Sequence, residues 1–268
     1  MKQRAVRLAR AGAVVCAALA LVLAACSSDE LLQKNSVTAM PEGAPASAYG
    51  SPAPEKAEPF NPFRDGAPTE FGRREVLADP SLADVLKVGP LPEMSIGRAD
   101  APVTVIKYGS LTCPHCRKFH ASVFPEVKRE YIDTGKVRFI FREFPIGRSS
   151  GNATIALRCV PQSKYVALYG KFLDQQAAWV SQDVRIEKIH AVASQAGLSR
   201  AEFDACLKNQ DLIAGLKWVK DRGRTLGIIG TPNFYIQNKL VKKVLDYQDL
   251  KALIDAELAG GAAMAVAN

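Results

Sequence analysis

Hydrophobic and polar positions change rhythm several times along these 268 residues. From Ala11 to Leu23 the chain is nearly all Ala, Val and Leu. Between Met40 and Pro68 the apolar pattern disappears into Pro, Ala, Gly and Ser, a composition that cannot bury enough surface to offset its ordering entropy. Leu77, Leu82, Val85 and Leu86 fall roughly on one face of a short helix within Arg74 to Val88, which Pro80 interrupts. Met94 to Gly97 reads as an edge strand, and the β-branched run Val103 to Tyr108 as a central one. From His115 to Tyr131, apolar residues recur at three- and four-residue spacing, with Pro125 predicting a kink. Val137 to Arg142 is a second strong strand.

From Ser149 to Leu226 no convincing strand occurs. The spacing predicts helices over Asn152–Val160, Lys164–Ala178, Val184–Ala196, Arg200–Asn209 and Asp211–Thr225, with Ser199 as an N-cap. Strand character returns over Gly227–Ile236 and Leu240–Val244. Tyr247–Leu258 closes the fold as a helix with Leu250, Leu253, Ile254 and Leu258 on one face. The expected organisation is a signal over residues 1–25, a disordered tether over 26–90, one α/β half over 91–148, an inserted helical domain over 149–226, the second α/β half over 227–259, and a loose tail over 260–268.

The first ten residues carry Lys2, Arg4, Arg7 and Arg10 and no acid, ahead of the short apolar run and Leu23-Ala24-Ala25-Cys26. That order is a secretory signal, and its apolar run is short for a membrane span. Leu-Ala-Ala-Cys resembles the lipobox of bacterial lipoproteins, which implies cleavage before Cys26 and a lipid anchor on it. Ser27 at the next position resembles the outer-membrane sorting pattern. The plain alternative is a signal peptide whose cysteine is incidental. Without those four cations, 31 of the 35 basic residues face 27 acids, with no basic run and few interleaved aromatics, so nucleic-acid binding is discounted.

Of six cysteines, Cys16 and Cys26 belong to the export segment, which leaves Cys113, Cys116, Cys159 and Cys206. Four in an exported chain is the arithmetic of two disulfides. Cys113-Pro114-His115-Cys116 follows a strand and opens a helix, and a CxxC beside a βαβ unit reads as a thioredoxin-like redox motif. Arg117 after Cys116 excludes haem attachment, and the three histidines, His115, His120 and His190, offer no second zinc-ligand pair. No metal or cofactor is expected. At a helix start, Cys113 meets unpaired N–H groups and the macrodipole, which favour a thiolate nucleophile. Cys116, one turn inward, is the resolving cysteine, and His115 adds a donor near the attacker.

These four residues resemble the active site of the DsbA family of thiol-disulfide oxidoreductases. Ala101-Pro102-Val103-Thr104 before them and Phe144-Pro145 after the next strand share the resemblance, which runs from about Gly97 to Leu258. It implies a thioredoxin-like fold with an inserted all-helical domain, reduced exported proteins as substrates, and a membrane redox partner that resets the dithiol. Thr231-Pro232 resembles the superfamily's cis-proline, whose preceding backbone faces the CxxC and is free to pair with substrate. Cys159 and Cys206, on separate predicted helices, read as a structural disulfide or as two buried thiols. Arg158 and Lys164 beside them read as solvated charges. One position departs from the family: where an acid is usual, six residues before the first cysteine, stands Lys107, either to stabilise thiolate charge or to reach solvent. An oxidase, an isomerase or reductase on the same fold, and a non-enzymatic surface lipoprotein all stay open at this point.

Overall fold

The computed structural model describes residues 76–266. The signal segment with Cys16 and Cys26, and the tether as far as residue 75, lie outside the described residues.

Five strands form one sheet: β1 (Met94–Ile96), β2 (Val103–Gly109), β3 (Val137–Glu143), β4 (Asn233–Ile236) and β5 (Lys239–Val241). Their order across the sheet is β1-β3-β2-β4-β5. β2 and β3 pair in parallel, and the other three pairings are antiparallel. The parallel pair needs a crossover, supplied by α2 (Pro114–Ser122), α3 (Phe124–Val127) and a π-helical turn over Lys128–Ile132. The kink expected at Pro125 is a break at Val123, and Pro125 sits in the first turn of α3, where its missing N–H costs nothing.

β2 lies between β3 and β4 and is buried at every position, which explains its unbroken apolar run. Alternation along it sorts the two cores. Val103 and Val105 join Phe139, Phe141, Phe234 and residues of α2 and α3 on one face. Ile106 and Tyr108 join Ile140, Phe144 and Tyr235 on the other. Lys107 and Gly109 share the parity of Val103 and Val105, so they belong to the face that carries α2.

Between β3 and β4 run α4 (Gly147–Arg158), α5 (Gln162–Asp174), α6 (Gln176–Trp179), α7 (Ile186–Ala193), α8 (Arg200–Cys206) and α9 (Gln210–Thr225). Ser199 caps α8 through a reciprocal pair with Glu202. This block is inserted in sequence, yet its buried residues Leu157, Leu168, Phe172, Trp179 and Phe203 belong to the same core as the α2 face of the sheet.

Two boundaries differ from expectation. The stretch assigned to a disordered tether up to residue 90 contains α1 (Leu82–Leu86), the short helix expected within Arg74 to Val88, capped reciprocally by Ser81 and Asp84. Val85 is wholly buried. Arg222 donates to the Asp84 carbonyl and Arg142 to the Val85 carbonyl, both at 2.7 Å, so the body of the fold satisfies the free end of this short helix. At the other terminus, α10 (Tyr247–Val266) continues through the segment expected to be a loose tail. The alanines after Gly260-Gly261 favour helix strongly enough to carry it on. The second-half strand starts only at Asn233, not Gly227, because Gly227 takes φ +78° and Thr231-Pro232 is a cis bond.

Candidate functional site

The site is built where β2 ends and α2 begins. Cys113 is the N-cap of α2, with extended backbone (φ −77°, ψ 121°) and no side-chain cap, and Pro114 follows in the first turn. Proline there fixes the helix start without removing a useful donor. The preceding loop is held from three sides. The Cys113 N–H donates to the Ser110 carbonyl at 3.1 Å. The Ser110 hydroxyl shares hydrogen bonds with Ser150 at 2.8 Å and Thr112 at 3.1 Å, tying the loop to α4. Gln176, buried at the start of α6, donates to the Leu111 carbonyl at 2.7 Å and to the Cys113 carbonyl at 3.1 Å. Sequence reasoning missed Gln176 and Ser150, since an isolated glutamine or serine in a helix carries no signal until tertiary contacts give it a partner.

Cys113 and Cys116 are both free thiols, the first half-buried and the second wholly buried. The Cys113 thiol donates to the Thr231 carbonyl at 3.1 Å. The Thr231–Pro232 bond is cis, as expected for the loop facing the CxxC. The Thr231 hydroxyl is buried with no hydrogen-bond partner among the described residues; it is nevertheless placed to favour a Cys113 thiolate. The Cys113 thiol is brought down to about 5, first by the hydrogen bond from Cys116, then by Thr231 and the backbone N–H groups of Cys116 and His115, against an opposing effect of burial. Cys116 moves the other way, well above an ordinary thiol, through its hydrogen bond with Cys113 and its burial, partly offset by Lys107.

His115 is exposed beside Cys113. It acts on the sulfur through its backbone N–H; its imidazole faces a surface hollow shared with Pro114, Arg117, Lys118, Ala121 and Asp174. Three exposed apolar side chains that sequence pattern did not single out lie on segments bonded to the site or next to it in the chain: Ile146, Val180 and Ile229, the last 77% exposed. The Ile146 carbonyl accepts from Thr112, Val180 follows the helix of Gln176, and Ile229 precedes Thr231 by two residues.

Lys107 does not reach solvent. It is 2% exposed, and its Nζ lies 2.7 Å from the Tyr169 hydroxyl, beneath α2. Arg158 is not a solvated charge either. Its side chain is 4% exposed and forks onto the equally buried Glu143, which also accepts from the Tyr165 hydroxyl at 2.8 Å. Lys164 is exposed and donates to the Ala196 carbonyl at 2.9 Å. Cys159 and Cys206 form a disulfide between the ends of α4 and α8, with Cα atoms 6.3 Å apart. Among the described residues, no cluster of His, Cys, Asp and Glu is placed to hold a metal ion, and no helix is long and apolar enough to cross a membrane.

A sequence profile of the family described as thioredoxin matches residues 91–256. Disulfide bond formation protein D of Bacillus subtilis is 28% identical over 200 residues, covering 72% of this chain and 85% of that protein. A Rickettsia conorii protein, provisionally named a protein-disulfide oxidoreductase, is 33% identical over 149 residues, 54% of this chain and 53% of its own. The chain thus spans about half to two thirds of the length of the rickettsial relatives it matches. Among solved structures, alpha-DsbA1 of Wolbachia pipientis superposes with a TM-score of 0.61 at 26% identity, over 68% of this chain and 98% of that one. Oxidised BdbD from Bacillus subtilis, at 24% identity, shares the fold with a TM-score of 0.59 over 69% of this chain and 98% of its own. The chain belongs to the thioredoxin family, in its DsbA-like branch.

Proposed function

We propose that this protein is a thiol-disulfide oxidoreductase that introduces disulfides into exported proteins through a mixed disulfide at Cys113. The observation that carries the reading is the asymmetry of the two sulfurs. Cys113 is half-buried at a helix N-terminus and acidic, while Cys116 is wholly buried and basic for a thiol. In the oxidised protein, a substrate thiolate reaches only the Cys113 sulfur. Its attack forms the substrate–Cys113 bond and breaks the Cys113–Cys116 bond, with Cys116 leaving. A second substrate thiolate then attacks the substrate's own sulfur in that mixed disulfide and expels Cys113 as a thiolate. The substrate has gained a disulfide and lost two electrons; the protein holds them as a dithiol. A low thiol pKa makes Cys113 a good leaving group and stabilises the reduced protein, so the couple is oxidising. The Thr231 carbonyl, released by the thiolate, is an acceptor for the N–H of an extended substrate, and Ile146, Val180 and Ile229 offer it an apolar rim. A membrane redox partner of the kind implied by the family removes the electrons.

The cell envelope is the site of this activity in our reading, with the chain anchored by lipid on Cys26 in the outer membrane. The basic start, the apolar run, Leu23-Ala24-Ala25-Cys26 and Ser27 support it. Membrane fractionation of the Cys26→Ala variant tests the anchor: retention of the variant in the membrane at wild-type level rejects it. For the activity, oxidised protein is mixed with a reduced, unfolded substrate that regains function only with its disulfides. Transfer by the wild type and its loss in Cys113→Ser are expected. A wild type that forms no substrate disulfide refutes the proposal.

A further inference from the structure

Thiol exchange at Cys113 says which sulfur is attacked, not which substrates reach it. From Ala101 to Pro125 the chain carries no Asp or Glu, yet within that stretch Arg117 and Lys118 follow the dithiol on α2. Both are exposed, and among the described residues neither makes a side-chain hydrogen bond or an ion pair. Arg98, Lys128, Arg200, Lys239 and Lys251 are also solvent-facing, but each is held by a carboxylate. The two cations of α2 therefore keep their hydrogen-bonding capacity for something outside the described fold.

Both line a surface hollow of about 690 Å³, together with Pro114, His115, Ala121 and Asp174. Pro114 and His115 directly follow Cys113, so the hollow opens beside the attacked sulfur. Its one carboxylate, Asp174 at the end of α5, pairs with neither cation, and two cations against one acid leave the lining positive. The first-turn N–H groups of α2 add to that sign at the same end of the helix. His115 contributes a ring N–H as a further donor.

The spacing along α2 sets the reach. The Arg117 N–H donates to the Cys113 carbonyl at 3.1 Å, so the two residues stand one above the other on the same face. They are separated by about 6 Å along the axis. Helical side chains lean toward the N-terminus, which brings the guanidinium back toward the sulfur. An extended substrate advances about 3.3 Å per residue. A carboxylate gripped by Arg117 therefore falls about two residues from the cysteine bonded to Cys113.

We propose that this hollow receives an acidic stretch of the substrate, with Arg117 and Lys118 holding carboxylates close to the reacting cysteine. This rests on the dithiol function proposed above and names a class of substrate for it. The planar fork of Arg117 suits a carboxylate in two-point contact, while Lys118 acts as a point charge. The attacking thiolate is itself an anion, so the same cations draw it toward the disulfide, and flanking acids strengthen the attraction.

The test uses two short peptides, each with two reduced cysteines, flanked by Asp in one and by Lys in the other. Single-turnover reduction of the oxidised full-length protein is followed with each. Every rate is divided by that peptide's rate on a small neutral disulfide, which removes differences in the thiols themselves. The wild type should favour the acidic peptide by about tenfold at low salt, the lower end of electrostatic steering. The preference should fade between about 0.01 M and about 1 M salt, as the screening length shrinks below the size of the hollow. Arg117→Glu/Lys118→Glu should invert the preference, which a merely structural role would not do, since damage to the fold slows both peptides alike. If that variant does not fold, Arg117→Gln/Lys118→Gln decides, with the preference lost. A wild-type ratio within about twofold of one at low salt, or a ratio that neither pair of substitutions moves, overturns the inference. A wild type reduced by neither peptide removes the dithiol function itself, whereas equal reduction by both removes only this specificity.

Discussion

Lowering the pH should strip the reduced protein of its stability advantage over the oxidised one. In the folded dithiol, Cys113 titrates at about 5, against about 8.5 for a thiol in an unfolded chain. A group depressed on folding adds stability that is fully present above the unfolded value and disappears as pH falls through the folded one. At about pH 7, two of those units are in force, or about 2.7 kcal/mol at 1.36 kcal/mol per unit. Cys113 is only half-buried, so solvent screening reduces this to roughly 1.5 kcal/mol. The disulfide form has no thiolate and none of this term. The same quantity, about 1.5 kcal/mol, corresponds to roughly 30 mV of oxidising power for a two-electron couple. The assay is denaturant unfolding of both redox forms from about pH 8 to about pH 4, beside a titration of the thiolate by its ultraviolet absorbance. The stability gap should narrow from about pH 8 downward and close below about 5. A Cys113 titration near about 8.5, or a gap that does not change over this range, refutes the reasoning.

Three other outcomes follow from packing. Glu143→Gln leaves the Arg158 guanidinium buried without its counter-charge, which should cost about 3–5 kcal/mol in a urea unfolding experiment; a loss under about 1 kcal/mol would place the pair in the class of surface bridges. Serine at Cys159 and Cys206 opens a loop spanning 47 residues, a loss of up to about 4 kcal/mol by loop entropy, while Cys113–Cys116 exchange keeps its rate; a slowed exchange would count against a purely structural role. Gly223→Ala on α9 sets helix propensity, about 1 kcal/mol in favour of alanine, against crowding. Its new Cβ would lie 2.9 Å from Tyr108 Cε1 and 3.3 Å from Phe144 Cδ2, so crowding should win by about 1–3 kcal/mol, and a stabilised variant would show that these rings yield.

Local signals were enough to find the elements that hold the dithiol. The β-branched run of β2, the CxxC at a helix start and proline at a strand entrance each encode their structure within a few residues. Ser199 is legible for the same reason, because a capping box is a contact between neighbours. What sequence pattern misjudged depends on contacts across the fold. Arg158 resembles any exposed helix cation until Glu143, 15 residues earlier on β3, meets it in the core. The apolar face within Arg74 to Val88 is legible as a helix, but that it docks on the domain instead of joining the tether depends on Val85 and on two arginines from elsewhere that seat α1. Lys107 offered two readings from sequence, and burial removed one: α2 and α5 cover the sheet face from which it projects and leave no path to water.

Cys113 and Cys116 stand three residues apart, about 4.5 Å along the helix axis. Chemically identical, they are driven to opposite protonation by that displacement. At the N-cap, the backbone N–H groups of the first turn have no carbonyl to pair with, and they turn toward the first sulfur. One turn inward, the second sulfur meets the apolar core, the first sulfur, the lysine beneath and a single backbone N–H, that of Ser110. Every contact that favours the Cys113 thiolate acts on the reduced protein alone and therefore shifts electrons toward it. Lys107 acts in the same direction: its positive charge pulls the Cys116 thiol down against the effect of burial, an interaction that the disulfide form lacks. A cation at this place on β2 is thus compatible with an oxidising dithiol.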